Sequence, residues 1–200
     1  MTEPRRQGSV PGAVEPIEPP EIGIAGVATL SRTFHRDARG FLVETLRDDD
    51  PPPVRAPFRM SYSSLTRPGH FRDADRWHVH RIQTDRFVVV LGEMILALFD
   101  RRENSPTRDC LAVARMVGGA YEARDGASDP AKSFSHVVTI PPGVLHCIGN
   151  VSSEPFLLQN FPTELYDPND EGRVPFVDLS VPSLGRPFSW DLVGRTPSPI

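Results

Sequence analysis

The sequence predicts an all-β domain, either a sandwich or a barrel built from short strands. Three observations support this prediction. Short runs rich in β-branched and aromatic residues recur along the chain, turn-forming residues separate them, and no stretch between Thr29 and Phe161 has the apolar periodicity of a helix. Alternating helices and strands, the pattern of a parallel α/β sheet, are therefore not expected.

Several runs are predicted strands. They are FLVETL (41–46), FRMSYSS (58–64), RFVVVL (86–91), EMILALFD (93–100), CLAVARMV (110–117), SHVVTI (135–140) and PFLLQNF (155–161). Gly92 separates two of these runs and predicts a tight hairpin. Because both runs are apolar almost throughout, both of their faces are expected to be covered, inside a closed barrel or beneath a dimer partner.

The length of 200 residues fits a single domain with extended termini. The barrel is predicted to span residues 23–165. Residues 1–22 are rich in proline and predict a flexible N-terminal arm. Residues 166–200 have little periodicity and predict an irregular tail that wraps the barrel, and residues 117–132 predict a connecting loop or lid.

The composition excludes several classes of partner. With 22 Lys and Arg against 26 Asp and Glu, the net charge is −4, which lacks the basic footprint of a nucleic-acid binder. No apolar stretch approaches the roughly 20 residues needed to span a bilayer. The N-terminus has no hydrophobic segment of the signal-peptide type, and the two cysteines make no disulfide framework, so a cytoplasmic location is expected.

The first histidine motif lies in DRWHVHRIQTDRFVVVLGE, residues 75–93. Residues i and i+2 of a strand point to the same face, so His78 and His80 can converge inside a barrel. Asp85 follows them before the apolar run. These side chains predict either a proton-transfer site or a metal site.

The second motif lies in PPGVLHCIGN, residues 141–150, where Gly143 permits a tight turn that brings His146 in on a second strand. Together the two motifs resemble the signature motifs of the cupin superfamily, with aspartate where the first motif usually carries glutamate. The resemblance implies a double-stranded β-helix, the jelly-roll barrel of the cupins.

Upstream, FHRDARGFLVETL (34–46) resembles the F-x-D-x-R-G-x-F-x-E signature of the dTDP-4-dehydrorhamnose 3,5-epimerase family. The resemblance continues in the right order through WHVH, GEMILALFDRRENSPT, IPPGVLH and ELYDPND. It implies a homodimer and a reaction without a metal or other cofactor. A histidine takes a proton from the sugar carbon beside a keto group, a lysine stabilises the enolate, and a tyrosine across the barrel acts as the acid.

The resemblance assigns catalytic roles to particular residues of this chain. His78 matches the catalytic base, and His80 is its helper or neighbour. His146 matches the second family histidine, which neutralises phosphate or supports the enolate. Arg86 lies nearest to the lysine position, still cationic but unable to give up its proton.

The same resemblance places the substrate contacts. Arg39 and Glu44 match the pair that holds the nucleotide, one of them from the partner subunit. In the family a glutamine and an asparagine read the thymine base, but their positions fall near Met60 and Tyr62 in this chain. Tyr166 aligns with a tyrosine beside the Y-x-P turn. These departures leave the base preference open.

A further departure concerns the acid. The family's acid tyrosine falls at about Asn160, which can donate a hydrogen bond to an enolate but cannot deliver a proton at neutral pH. Tyr62, Tyr121 and Tyr166 are the candidate acids.

Three functions therefore remain open. The first is an epimerase or isomerase for a nucleotide sugar of the dTDP-4-keto-6-deoxyhexose type; in the related 3,4-ketoisomerases a histidine pair moves protons between adjacent carbons. The second is a metal-dependent cupin, an oxygenase or isomerase with Fe, Mn, Ni, Cu or Zn. Its ligands would be His78, His80, Asp85 or Gln83, and His146. The third is a recruited or non-catalytic cupin that binds a small ligand.

Overall fold

The computed structural model describes residues 13–119 and 134–194, which form two antiparallel sheets and a short ribbon. The strands are β1 (Ala28–Asp37), β2 (Gly40–Val43), β3 (Tyr62–Thr66), β4 (Arg76–His80), β5 (Asp85–Leu91), β6 (Glu93–Asp100), β7 (Leu111–Val117), β8 (Phe134–Ile140), β9 (Val144–Gly149), β10 (Phe156–Asn160), β11 (Glu171–Pro175), β12 (Ser180–Val181) and β13 (Arg186–Pro187). Within the described ranges the helical elements are 3-10 helices at Pro19–Glu21, Phe176–Asp178, Pro182–Leu184 and Trp190–Val193.

The first sheet has the order β2-β1-β8-β5-β10-β3, and the second has the order β11-β4-β9-β6-β7. Apolar side chains from both sheets, among them Val89, Leu96, Val138 and Ile148, form one buried cluster between them. The sheets thus enclose a jelly-roll barrel, which confirms the predicted fold.

The apolar strands β5 and β6 are covered on both faces by the chain itself. All eight residues of β6 are buried, and Leu96 and Leu98 point into the barrel. The alternate residues Ile95 and Phe99 pack outside it, in a cluster that includes Phe188 and Trp190 from the C-terminal segment. Coverage by a dimer partner, one of the two arrangements predicted, is not needed for these strands.

The hairpin predicted at Gly92 is present between β5 and β6. Gly92 has a φ of +76°, a left-handed conformation that favours glycine. A Cβ there would lie 2.3 Å from the carbonyl oxygen of Pro155, so there is also no room for a side chain at this position.

Both predicted terminal boundaries need correction. Residues 1–12 lie outside the described residues, but residues 13–22 are not a free arm, because Ile17 N donates to Val113 O and Arg115 N donates to Ile17 O. The tail beyond residue 166 contains β11, which pairs with β4 along the barrel sheet. This strand has only five residues at a sheet edge and lacks a clear apolar alternation, so its sequence does not predict it.

The lid or loop predicted for residues 117–132 falls almost wholly outside the described ranges, as does Tyr121. In the part of the chain that the structure describes, no helix has the length and apolar character needed to cross a membrane.

Candidate active site

A cavity of about 380 Å³ lies between the two sheets and is lined by polar side chains from both. Tyr62 and Asp85 come from the first sheet, and the three motif histidines come from the second. Met60 and Tyr166 also line the cavity. The structure therefore brings together most of the residues that the two sequence motifs predicted.

Strand alternation places the histidines. Along β4, Trp77 and Val79 pack on the outer cluster, so His78 and His80 face the cavity. His146 on β9 is the register partner of His78. The Nε2 atoms of His78 and His80 are 2.9 Å apart, a hydrogen bond in which one ring must donate and the other accept.

Asp85 connects the two walls of the cavity. Its carboxylate is 3% exposed, and Oδ1 accepts hydrogen bonds from Gln83 Nε2 and Asn160 Nδ2, each at 2.8 Å. Its Oδ2 lies 3.5 Å from Nε2 of both His80 and His146. A buried carboxylate with two amide donors on one oxygen and two histidines near the other holds the side chains around it.

A second carboxylate, Asp170, stands behind His80. Backbone N–H groups of residues 81, 82 and 83 donate to it, and its Oδ2 is 3.3 Å from His80 Nδ1. Burial alone would raise the pKa of Asp170, but the three donors outweigh it and the pKa is lowered. Sequence reasoning did not single out Asp170, although it lies in ELYDPND, a segment of the family resemblance.

His78 and His146 are held neutral at pH 7. Burial, then the proximity of His146, His80 and Arg173, lowers the pKa of His78 to about 2. Burial also lowers the pKa of His146, with Asp85 opposing it. A neutral imidazole has a lone pair, so His78 is in the protonation state that a general base needs.

These buried histidines predict a pH-dependent stability. The unfolded state binds protons on histidine below about pH 6.5 whereas folded His78 does not, so the free energy of unfolding falls as the pH decreases below 6.5. The loss should reach about 2 kcal/mol for His78 by pH 5. Urea unfolding at pH 7 and pH 5 measures it, and His78→Asn should make the difference smaller. An unchanged difference in the variant would contradict the assignment.

Two cavity-lining arginines were missed by sequence reasoning. Arg173 is the register partner of His78 on the neighbouring strand β11, and it contacts the carboxylates of Asp73 and Glu171. Arg72 lies before β4 and donates through Nη2 to Leu65 O at 2.6 Å. The signal that could have found Arg173 is the pairing of the tail with β4, which the sequence does not reveal.

Arg86, which the resemblance predicted as the enolate-stabilising cation, does not line the cavity of this chain. Asp85 and Phe87 face inward, so Arg86 between them points to the outer face of β5 and is fully buried there. Its guanidinium donates to four backbone carbonyls, those of residues 54, 56, 57 and 161. It anchors the segment that precedes β3 and the end of β10.

Arg39 and Glu44 also lie away from the cavity of this chain. Arg39 is exposed in the β1–β2 hairpin, where it pairs with Asp37, and Glu44 pairs with Arg47 at 2.7 Å. Neither side chain lines the cavity. Within a single chain they form local surface ion pairs, and a nucleotide contact would need a partner subunit.

Asn160 is fully buried and is not among the residues that line the cavity, although it contacts two of them. Its Nδ2 lies 3.0 Å from the hydroxyl of Tyr62 and 2.8 Å from Asp85 Oδ1. The structure thus places Asn160 beside the cavity and joins it directly to one of the three candidate acids.

The donors of the alternative metal site, His78, His80, Asp85 and His146, all line the cavity. Across residues 13–119 and 134–194, no three His, Cys, Asp or Glu side chains form a group that could hold a metal ion. The Nε2 atoms of His78 and His80 contact each other, and Asp85 Oδ1 accepts two amide hydrogens.

No protein-family model matches the chain. The crystal structure of a dTDP sugar isomerase from Desulfovibrio desulfuricans G20 shares the fold with a TM-score of 0.65 at 24% identity, covering 86% of this chain and 96% of that one. The Mycobacterium tuberculosis rmlC epimerase does so with a TM-score of 0.64 at 20% identity, covering 89% and 81%.

A curated relative is closer in sequence. Over 149 residues, 70% of this chain and 80% of the relative, the chain is 36% identical to a Haloferax volcanii protein named "Probable low-salt glycan biosynthesis epimerase Agl13". The chain belongs to the RmlC-like sugar epimerase family. Membership of this family confirms the resemblance seen in the sequence and makes the chain an enzyme of the sugar epimerase class.

Proposed function

We propose that this RmlC-like chain epimerises or isomerises a nucleotide sugar of the dTDP-4-keto-6-deoxyhexose type by removing a proton from the carbon next to the keto group. The observation that carries the proposal is His78, a neutral imidazole at the wall of a cavity that Arg72 and Arg173 also line. The family of the chain and the dTDP-sugar chemistry named for the Desulfovibrio desulfuricans isomerase support it.

The cavity is lined by the cations Arg72 and Arg173 together with four carboxylates, those of Asp73, Asp85, Asp167 and Glu171, and we assign the diphosphate to the two arginines. Arg72 and Arg173 line it beside His78, and a guanidinium can bind a diphosphate through two parallel hydrogen bonds. Arg173 is one of the groups that lower the pKa of His78. A diphosphate bound there would offset this charge, which is the smallest of the four causes that lower the pKa of His78, after burial, His146 and His80.

We propose that His80 supports His78, and that Asp170 and Asp85 hold His80 in place. His80 Nε2 contacts His78 Nε2 at 2.9 Å, while its Nδ1 faces Asp170 at 3.3 Å. His80 Nδ1 makes no hydrogen bond among the described residues; a hydrogen bond to Asp170 formed on substrate binding would keep His80 in one tautomer and let it stabilise positive charge on its neighbour.

We propose that the enzyme works as a homodimer in which the partner's β1–β2 hairpin completes the nucleotide site. The hairpin exposes Phe41 and Leu42, and Arg39 lies at its tip. Sedimentation equilibrium should give twice the mass of the 22.2 kDa chain. A monomer that turns over substrate at the full rate would contradict this arrangement.

The function is tested with dTDP-4-keto-6-deoxyglucose in deuterium oxide. NMR should show deuterium at a carbon adjacent to the keto group, together with the epimerised sugar. Activity should survive dialysis against a chelator. An enzyme that leaves this and other nucleotide-linked keto sugars protonated would overturn the proposal, and a keto group moved to the neighbouring carbon would assign ketoisomerisation instead.

A further inference from the structure

The hydrogen bonds that join Asn160 to Asp85 and to Tyr62 beside the cavity identify a proton donor. We propose that Tyr62 gives the proton to the sugar on the side opposite His78, and that Asn160 is the residue that positions it. This assignment rests on the proposed epimerase function and names the acid of that reaction.

Tyr62 and His78 come from opposite walls of the barrel. Tyr62 begins β3 in the first sheet, and His78 lies in the middle of β4 in the second sheet; both line the same cavity. A sugar ring bound between the sheets presents one face to each wall. Inversion of a carbon requires removal of a proton from one face and addition to the other, which these two residues are placed to do.

The hydrogen bonds of Asn160 determine which way the Tyr62 hydroxyl points. Asn160 Oδ1 accepts the backbone N–H of Arg86 at 2.9 Å, which fixes the orientation of the amide. The two Nδ2 hydrogens then go to Asp85 Oδ1 and to the oxygen of Tyr62. Because the phenol oxygen is the acceptor in this contact, its own hydrogen remains available to the substrate.

The same contact suits the phenolate that proton transfer leaves. An N–H that donates to the oxygen stabilises the negative charge once the proton has left. Burial raises the pKa of Tyr62, and the hydrogen bond from Asn160 lowers it in part, so the hydroxyl carries its proton at neutral pH. Tyr166 is 68% exposed against 44% for Tyr62, and it has no such donor among the hydrogen bonds of the described residues.

The reaction balances with these two groups. His78 takes the proton as the C–H bond breaks, and the electron pair forms the enolate with negative charge on the former carbonyl oxygen. The enolate then takes the Tyr62 proton on the opposite face, the carbonyl re-forms, and the residues are left as imidazolium and phenolate. Transfer of one proton from His78 to Tyr62 through water restores the enzyme.

The test is Tyr62→Phe in deuterium oxide with dTDP-4-keto-6-deoxyglucose; Tyr166→Phe tests the competing candidate acid, and His70→Asn, at an exposed residue outside the cavity, is the control. In Tyr62→Phe, His78 still removes and returns a proton on its own face, so deuterium should enter with retention of configuration. Formation of the epimer should fall by about 10²-fold or more. The ratio of epimer to exchange should stay at the wild-type value in His70→Asn, and a loss of the epimer in Tyr166→Phe in place of Tyr62→Phe would overturn the assignment.

The outcomes separate the two proposals. If the wild type shows no exchange, the proposed function fails, and this assignment fails with it. If the wild type and Tyr62→Phe both form the epimer at the same ratio to exchange, only the role of Tyr62 is overturned.

Asn160→Ala tests positioning. Loss of its hydrogen bond should raise the pKa of Tyr62, so the alkaline limb of the epimerisation rate should move to higher pH while the rate itself falls. A purely structural role would lower the rate without moving this limb, and that result would overturn the positioning role.

Discussion

His78→Asn is expected to lower both deuterium exchange and epimer formation by 10²–10⁴-fold, the usual contribution of a general base. Asparagine is close to histidine in size and can still hydrogen-bond to His80. Its amide nitrogen has no basic lone pair, so it cannot take the proton from carbon. The loss should therefore appear in kcat, with a smaller effect on KM.

The controls for this variant separate chemistry from folding. His70→Asn changes an exposed histidine outside the cavity and should keep the wild-type rate. Urea unfolding at pH 7 should place His78→Asn within about 1 kcal/mol of the wild type, since the site is partly open and the hydrogen bond can be replaced. Exchange at the wild-type rate in a folded His78→Asn enzyme would remove His78 from the role of base.

The remaining histidines are not equivalent substitutes for His78. His80 and His146 each lie 3.5 Å from Asp85 Oδ2, so both are held against the same buried carboxylate. His78 is farther from carboxylates, with Glu171 at 4.0 Å from its Nδ1. His78 is held by its 2.9 Å hydrogen bond to His80 instead of by a carboxylate.

The sequence predicted the parts of the fold that depend on local pattern. The apolar runs at β5 and β6 and the glycine between them appear where the pattern placed them. β1 was not predicted as a strand because most of its residues are only partly buried or exposed. β11 was missed because its burial arises from pairing with β4, a contact between segments about 90 residues apart along the chain.

The histidine positions were predictable for the same reason, since a spacing of two places side chains on one face. The network around them was not. Asp170 and Arg173 reach the site only because the tail returns to the barrel sheet. The link from Asn160 to Tyr62 likewise depends on the pairing of β10 with β3, which the sequence does not specify.

Arg86 shows where a family position and strand geometry disagree. The resemblance placed the family's catalytic lysine position nearest to Arg86, so Arg86 was expected to face the cavity. Asp85, the preceding residue on the same strand, was also expected to face it. Adjacent strand residues point to opposite faces, so only one of them could do so. In the structure Asp85 is the one that faces the cavity. The alternation of strand residues, which shows that both cannot do so, could have been applied to the sequence.

The structural role of Arg86 predicts a large loss of stability in Arg86→Met. Methionine fills much of the volume but donates no hydrogen bond, so the carbonyls of residues 54, 56, 57 and 161 lose this donor. The free energy of unfolding should fall by about 3 kcal/mol or more, since each unsatisfied buried acceptor costs about 1–3 kcal/mol. Arg86→Lys should recover only part of it, because an ammonium group cannot reproduce the planar fork of donors.

The matched control is Arg59→Met. Arg59 is exposed and pairs with Glu164 at only 3.7 Å, so its loss should change the free energy of unfolding by no more than about 0.5 kcal/mol. Urea unfolding of the variants measures the difference. If Arg86→Met is as stable as Arg59→Met but binds the nucleotide sugar much more weakly, then Arg86 acts on the substrate, as its aligned position suggested. A cooperative loss of stability instead shows that this guanidinium holds together the wall from which Tyr62 projects.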